Sequence, residues 1–488
     1  MEFDDLQQTR IAKLQILRDA GLDPYPPRSE RTITNAEAVA EFAQHEGETH
    51  TVVGRVVQKR DIGKLLFVRI RDGSGELQLF IQQRKLGAER FDFVTTTVDL
   101  SDFVQASGPL MRTKTGEISI DVDDIAIIAK ALSPPPGTWR GLENIEKRYR
   151  QRYIDLMVNE ESRRVAILRS QIVAATRHFM DSRGFLEVET PTLQPQYGGA
   201  AARPFVTHHN ALDQDFYLRI ADELYLKRLI VGGLERVYEI CKDFRNEGLD
   251  RQHNPEFTMM ECYQAFADYH AMMDIVEGVF NYIATSVFGS TTVTYDEHTV
   301  DLRPPWPRVR MRDAIRDACG IDYPAIADTD ELRRRARDAG ADVPDDRVCA
   351  RIIDELLKTF VRPSLIQPTF LIDYPVELSP LAKRSPDDPS VVERFQPFIA
   401  GLELGNAYTE LNDPLDQLAR FEEQAAQRAQ GDSDAMPVDD DFVAALMQGM
   451  PPTGGLGLGI DRMVMFFTNQ PSIRDVILFP ALRATEGR

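Results

Sequence analysis

The chain has 488 residues and a formal charge of −20, with 57 Lys and Arg against 77 Asp and Glu. That length allows two or three domains and a large core. The charge excludes a general nucleic-acid coat, which would be basic, but leaves room for a local basic surface that binds RNA. Cys241, Cys262, Cys319 and Cys349 are scattered without a C-x-x-C pair, which argues for reduced thiols and against a zinc or disulfide framework. MEFDDLQQTR lacks the apolar core of a secretion signal, and no run approaches a membrane span. A soluble cytoplasmic protein is expected.

Near the N-terminus, Ile11, Leu14, Ile16 and Leu17 have helical spacing, and Gly21 with the following prolines ends that helix. From about 50 to 130 the pattern is β: TVVGRVVQKR, KLLFVRIRD, GELQLFIQQ, a run from Ser101 to Leu110, and EISIDVDDIAII. These predict a small five-stranded barrel of the kind that stacks single-stranded nucleic acid on aromatic rings. Phe67 and Gln78 fall on neighbouring strands. Phe67 can stack on a base and Gln78 read its edge, or they can be a core ring and a solvated amide.

Pro134, Pro135, Pro136 and Gly137 mark a linker, dividing the chain into 1–138 and 139–488. Arg140, Lys147, Arg148, Arg150 and Arg152 follow, as either a solvated helical face or a phosphate-contacting hinge. Ser162 is placed as the cap of a long helix running to about Ser182, with GFLEVETPTL as a strand ending at Pro191. Gly198 and Gly199 suggest a mobile or close-approach loop. His208 and His209 lack a partner pair with convincing zinc spacing.

The stretch FRNEGLDRQHNPEFTMMECY, Phe244 to Tyr263, organises the rest. VYEICKD before it and FTMMECY at its end read as two antiparallel strands around a polar loop. Arg245, Glu261 and Tyr263 then share one face. Arg245 suits a phosphate and a carboxylate gripped together, Phe257 offers a flat surface for a base, and Glu261 suits an ammonium group. A surface hairpin with incidental charges would show the same FR-x-E.

The whole stretch resembles motif 2 of class II aminoacyl-tRNA synthetases, in the form carried by the lysyl-tRNA synthetases. The resemblance extends over almost the whole chain, in family order. It implies an α+β architecture: an OB-type anticodon-binding barrel, then a catalytic domain built on an antiparallel sheet flanked by helices. Phe67 and Gln78 fall where lysine enzymes contact the anticodon of tRNA(Lys). The helix and strand around 162–191 resemble motif 1, implying a homodimer. Gly199 lies in a loop that in the family closes over the amino acid, and Glu223 lies where the family keeps a carboxylate for the lysine ammonium. Glu247, His253 and Asn254, with Arg245 and Phe257, would contact ATP. TGGLGLGIDR resembles motif 3, with flexible glycines that let backbone approach ATP and with Arg462 at a helix start, gripping the γ-phosphate or covering adenine.

NAYTELND also matches the lysine enzymes. On a strand Asn406, Tyr408 and Glu410 share a face, so an amide can hold the lysine carboxylate, a ring cover its stem and Glu410 pair with its ammonium. The family holds more than one Mg²⁺ on two glutamates near here. Glu403 fits one, but the other position is Gln396, a weaker ligand, with Glu410 a further candidate. Gln252 departs from the usual basic residue, with Arg251 as compensation. Residues 310–362 read as a helical insertion and GDSDAMPVDDDF as a solvated loop. The implied reaction has two steps: lysine and ATP give lysyl-adenylate and pyrophosphate, and the tRNA 3′ end then takes the lysine. The rival readings are a protein-lysylating relative, which would lack the barrel, and a silent RNA-binding paralogue.

Overall fold

A computed structural model describes residues 2–135, 142–343, 349–429 and 437–484. The chain forms two compact units, Met1–Glu143 and Asn144–Arg488. Pro136, Gly137 and Arg140 lie outside the described residues, as do 344–348 of the insertion and 430–436 of the acidic segment.

The first unit opens with helix α1 (Asp5–Asp19), capped by Asp4. Leu14 and Leu17 are buried, but Ile16 is exposed. Arg10 is buried as well, donating to Leu100 O and Ala131 O. The strands are β1 (Thr49–Ile62), β2 (Leu65–Arg71), β3 (Glu76–Gln82), β4 (Phe103–Arg112), β5 (Ile118–Asp121) and β6 (Asp124–Ala129). β1 pairs with both β2 and β4, so the sheet closes. β5 and β6 pair with successive parts of β4, as two halves of the fifth barrel strand. Strict alternation buries Leu66, Val68, Ile70, Leu77 and Leu79 inside and leaves Phe67 and Gln78 half-buried on the outer face.

In the second unit α2 (Glu160–Ser182) is preceded by Asn159, which occupies the cap position in place of Ser162. Ser162 lies inside the first turn and accepts from Arg148. Of the basic cluster, Lys147 and Arg150 are exposed, whereas Arg148 and Arg152 turn inward. Arg148 and Arg152 both hold Asp155, and Arg152 is buried against the carbonyls of Arg474 and Leu478. The strand expected to end at Pro191 shrinks to β7 (Leu186–Glu187). Beyond it, the Thr190 backbone and hydroxyl both donate to the Glu239 carboxylate, so a side chain replaces the ladder.

Then come α3 (Glu223–Val231), β8 (Arg236–Phe244), β9 (Glu256–Ala265), α4 (Tyr269–Phe288), β10 (Arg308–Arg310), β11 (Thr369–Pro375), β12 (Val391–Ile399), β13 (Gly405–Thr409), β14 (Thr453–Gly459) and α5 (Ile460–Thr468). One sheet runs β10-β11-β12-β13-β14-β9-β8-β7. It is antiparallel except at its ends, where β10–β11 and β7–β8 are parallel. Met260, Cys262, Ala407, Leu456 and Leu458 face one side and pack with Ile172, Phe280 and Phe466 of α2, α4 and α5. The insertion is helical over Met311–Cys319, Thr329–Asp338 and Cys349–Leu356. It buries Ile315, Leu332 and Ile352 in the same core as Tyr263 and Tyr408, behind the second face of the sheet.

Candidate active site

β8 and β9 place Glu239 opposite Glu261, Val237 opposite Tyr263 and Asp243 opposite Phe257. Arg245 N donates to Pro255 O at 2.9 Å, continuing the ladder by one rung. Arg245, Phe257, Glu261 and Tyr263 therefore share the face opposite α2, α4 and α5.

Two glycines carry this face across the sheet. On β14, Gly457 lies between Glu261 of β9 and Asn406 of β13, and Gly455 lies between Tyr263 and Tyr408. The central strand thus contributes no side chain, and the rows on either side frame a trough. A Cβ on Gly455 would lie 1.9 Å from Glu410 Oε1 and 2.5 Å from Tyr263 Cε1. The glycines expected as a flexible loop are an ordered central strand, and their function here is to leave space. Gly199 is likewise a close-approach residue: at φ +86°, its Cβ would lie 3.1 Å from the Cβ atoms of Ala221 and Glu223.

The end of the trough holds a cation that the sequence reading missed. Lys227, one turn after Glu223 on α3, is fully buried. Its Nζ lies 2.5 Å from Glu223 Oε1 and also pairs with Glu410. Tyr408 OH donates to both Glu223 oxygens at 2.7 Å, and Tyr263 OH donates to Glu261 Oε2 at 3.0 Å. The helical spacing E-x-x-x-K was the available signal for this pair. Glu410 is thus paired with Lys227 at the end of the trough.

Acids outnumber bases in this interior. Asp222, Glu223, Glu239, Asp243, Glu261 and Glu410 are all buried, against buried Arg219 and Lys227 and half-buried Arg245. Arg219 is taken by Glu239 at 2.7 Å. Burial, then Asp222 and Asp243, push the Glu261 carboxyl well above its usual range. Burial, then Asp243, do the same to Asp222. Burial raises Asp243 to about 6 against the pull of Arg245 and Arg219. Burial also opposes the charge on Lys227, but Glu223 and Glu410 override it and hold the ammonium protonated. A second cation entering here would meet carboxylates held short of positive charge.

At the mouth, the Arg245 guanidinium lies over the Phe257 ring, 5.0 Å from its centroid. Among the described residues its one protein acceptor is Ile220 O, through Nε at 3.4 Å. Arg462 donates to Glu403 O at 2.9 Å, and its second amino group lies 3.2 Å from His253 Nε2. Glu247 and His253 are exposed on the hairpin loop, and His253 is held by Asp250 at 2.7 Å. Asn254 is buried with both ends of its amide used, donating to Glu256 O and accepting from Ala481 N, so it shapes the loop. Asp461, beside Arg462, ties the three motifs together by accepting from Thr258 N and pairing with Arg169 of α2.

Of the two Mg²⁺ positions, Glu403 is half-buried and paired with Arg362 at 2.8 Å. Gln396 is buried, and its carbonyl oxygen accepts from Tyr374 OH at 2.7 Å. Glu403 offers a carboxylate to an ion, whereas Gln396 offers only a neutral amide oxygen that also accepts from Tyr374. Asn406 Oδ1 accepts from Arg394 Nε at 2.7 Å, which leaves its NH₂ group to face a ligand. In the first unit Phe67 pairs directly with Phe80, ring centroids 5.1 Å apart. Gln78 donates to Ser119 Oγ at 2.9 Å. Phe80, which the sequence reading did not single out, is a second half-buried ring beside Phe67.

Residues 144–483 match the family model of tRNA synthetases class II (D, K and N), and residues 50–128 match that of the OB-fold nucleic acid binding domain. Curated proteins named lysine–tRNA ligase are 57% identical in Roseiflexus castenholzii, over all of both chains, and 57% in Chloroflexus aurantiacus, over 99% of each. One from Moorella thermoacetica is 49% identical, again over 99% of each. The chain belongs to the class II tRNA synthetases of the D, K and N family. Its relatives at this identity lie in the lysine branch.

Gly455→Ala should abolish lysine-dependent activity while the barrel stays folded. The added methyl group has no free space between Glu410 and Tyr263, and overpacking of this kind typically costs about 1–3 kcal/mol or more. Thermal unfolding alongside an activity assay would check this.

Proposed function

We propose that the chain attaches lysine to tRNA(Lys) in two steps, as an ATP-dependent lysine–tRNA ligase. The observation that carries this reading is the buried anionic trough with an under-committed arginine at its mouth. Lysine fits it end to end. Its side-chain ammonium joins Glu223, Tyr263 and Glu410, its stem lies along Tyr408 over the glycine strand, and its α-ammonium goes to Glu261. Asn406 and Arg245 receive its carboxylate, with Gly199 closing above. A pocket for aspartate would need a cation where these carboxylates stand, and one for asparagine a neutral group.

In the first step Arg245 bridges the lysine carboxylate and the ATP α-phosphate, stabilising charge as the carboxylate oxygen attacks phosphorus and pyrophosphate leaves. Phe257 supports the adenine. Arg462 covers it or grips the γ-phosphate, with Glu247 and His253 lining the loop side. Glu403 would hold Mg²⁺, which when bound neutralises and orients the phosphates. In the second step the tRNA 3′-hydroxyl attacks the activated carbonyl and AMP leaves. No protein nucleophile is needed, because positioning and charge do the chemistry.

The outward rings Phe67 and Phe80, with Gln78, form a surface suited to anticodon bases, which argues against a protein acceptor. Ile167 on α2 and Leu186 on β7 are about half exposed, at 50% and 52%, on the segments that resemble motif 1. Leu186 also lies on the last strand of the sheet, and this apolar edge suits a second copy of the chain. Among the described residues no helix is long and apolar enough to cross a membrane. We place the enzyme in the cytoplasm, where its substrates are made.

ATP–pyrophosphate exchange, measured with each proteinogenic amino acid and without tRNA, should occur with lysine alone. Glu410→Gln should raise the lysine KM at least about tenfold and leave the ATP KM nearly unchanged, since an unpaired buried cation rejects the altered site. Equal rises would remove Glu410 from the lysine pocket. Phe67→Ala should leave exchange intact and weaken aminoacylation through the tRNA KM, by about 1–3 kcal/mol of lost base stacking. Loss of exchange would contradict the assignment of Phe67 to anticodon binding.

A further inference from the structure

We propose that Lys227 is a specificity-determining residue of the amino-acid pocket, a resident ammonium that sets the pocket's depth and the charge it presents to a ligand. This rests on the reading that the pocket takes lysine.

The geometry is that of a built-in ligand mimic. Lys227 Nζ is fully buried and bridges Glu223 and Glu410, the carboxylates assigned to the substrate ammonium. It lies 5.5 Å from the Tyr408 ring centroid and 5.8 Å from that of Phe442. The groups around it come from every packed element. α3 supplies Glu223, the segment after β13 supplies Glu410, β13 supplies Tyr408, and β9 brings Glu261 and Tyr263 within electrostatic reach of the same carboxylates. Arg228, next in sequence, turns away to Asp439 and Asp441. Lys227 is therefore the resident cation paired with both carboxylates.

Two consequences follow. First, Lys227 Nζ already sits between Glu223 and Glu410, so a ligand ammonium must stop one ionic contact short of it and share its carboxylates. Second, it supplies the buried cation between Glu223 and Glu410, and its ammonium pulls the Glu410 carboxyl down against the burial that raises it. Without it, two buried carboxylates would face each other with no cation between them, and proton uptake by the pair would be favoured. A half-protonated pair accepts a hydroxyl group nearly as well as an ammonium, so the pocket would lose its demand for positive charge. Lys227 acts on the substrate through Glu223 and Glu410, as a positioning residue.

The test compares wild type with Lys227→Met, of similar length and uncharged, in ATP–pyrophosphate exchange with lysine and with its neutral isostere 2-amino-6-hydroxyhexanoate. Wild-type activation of lysine is the control: its absence would overturn the lysine reading itself. Given that activity, the variant should show a lysine KM raised at least tenfold, an ATP KM within twofold of wild type, and a lysine-to-isostere preference reduced at least tenfold. The acidic limb of its pH profile for kcat/KM should move to higher pH, because the unneutralised carboxylates must lose a proton before they bind the lysine cation. A purely structural role would lower activity for both substrates alike and leave the pH profile in place, and that result would overturn the proposal. If Lys227→Met does not fold, Lys227→Ala in the presence of n-propylammonium serves. Restored lysine activation with the amine but not with n-propanol supports the proposal, and equal effects or none from both overturn it.

Discussion

Buried carboxylates in excess of buried cations constrain this structure more than any other feature. An isolated buried charge is costly, and ion pairs inside a protein persist only where geometry and further hydrogen bonds support them. Here Arg219 holds Glu239, Lys227 joins Glu223 to Glu410, and two tyrosine hydroxyls donate to carboxylates. Asp222, Asp243 and Glu261 are left with less compensation, and Asp222 and Asp243 each keep one buried oxygen without a partner. The folded protein thus carries an electrostatic debt that a cationic amino acid can cancel, so specificity and stability are linked at one site.

The sheet makes that arrangement affordable only because its central strand is nearly bare. Gly455 and Gly457 separate the acidic row of β9 from the amide and ring of β13, and they let both rows face one ligand without crowding. The reverse face is densely packed on α2, α4 and α5, which fixes the strand positions. Asp461 and Arg169 then lock the helix carrying Arg462 to the hairpin carrying Arg245. Rigid backing, an open face and a charge deficit together suit a reaction that depends on placing two anionic reactants against each other.

Much of this was legible in the sequence. Period-two alternation gave the barrel strands and put Phe67 and Gln78 on neighbouring ones, but it left open whether Phe67 faced the core. The hairpin around Arg245 followed from its two apolar runs and the polar turn between them, and the shared face of Asn406, Tyr408 and Glu410 followed from strand geometry. What escaped depended on long-range partners. Lys227 reads locally as a helix-surface residue, and only the approach of Glu410 from far along the chain makes it a core cation. The motif 3 glycines read as a loop because glycine is a poor strand former, and their strand exists because neighbours on both sides supply the side chains. Ser162 was a plausible cap by type, but Asn159 stands where the helix begins. The hydrogen bond from Tyr374 to Gln396 joins two strands and could not be read locally.

The central claim is that a ligand ammonium completes the buried charge set, and proton linkage tests it most directly. Burial pushes the Glu261 and Asp222 carboxyls upward, and a bound cation would pull them down, so binding is linked to proton release. Calorimetric titration with lysine, in buffers of differing ionisation enthalpy at about pH 6 to 8, should show net proton release and an affinity that strengthens as pH rises. Proton uptake, or binding with no proton exchange across that range, would contradict the account.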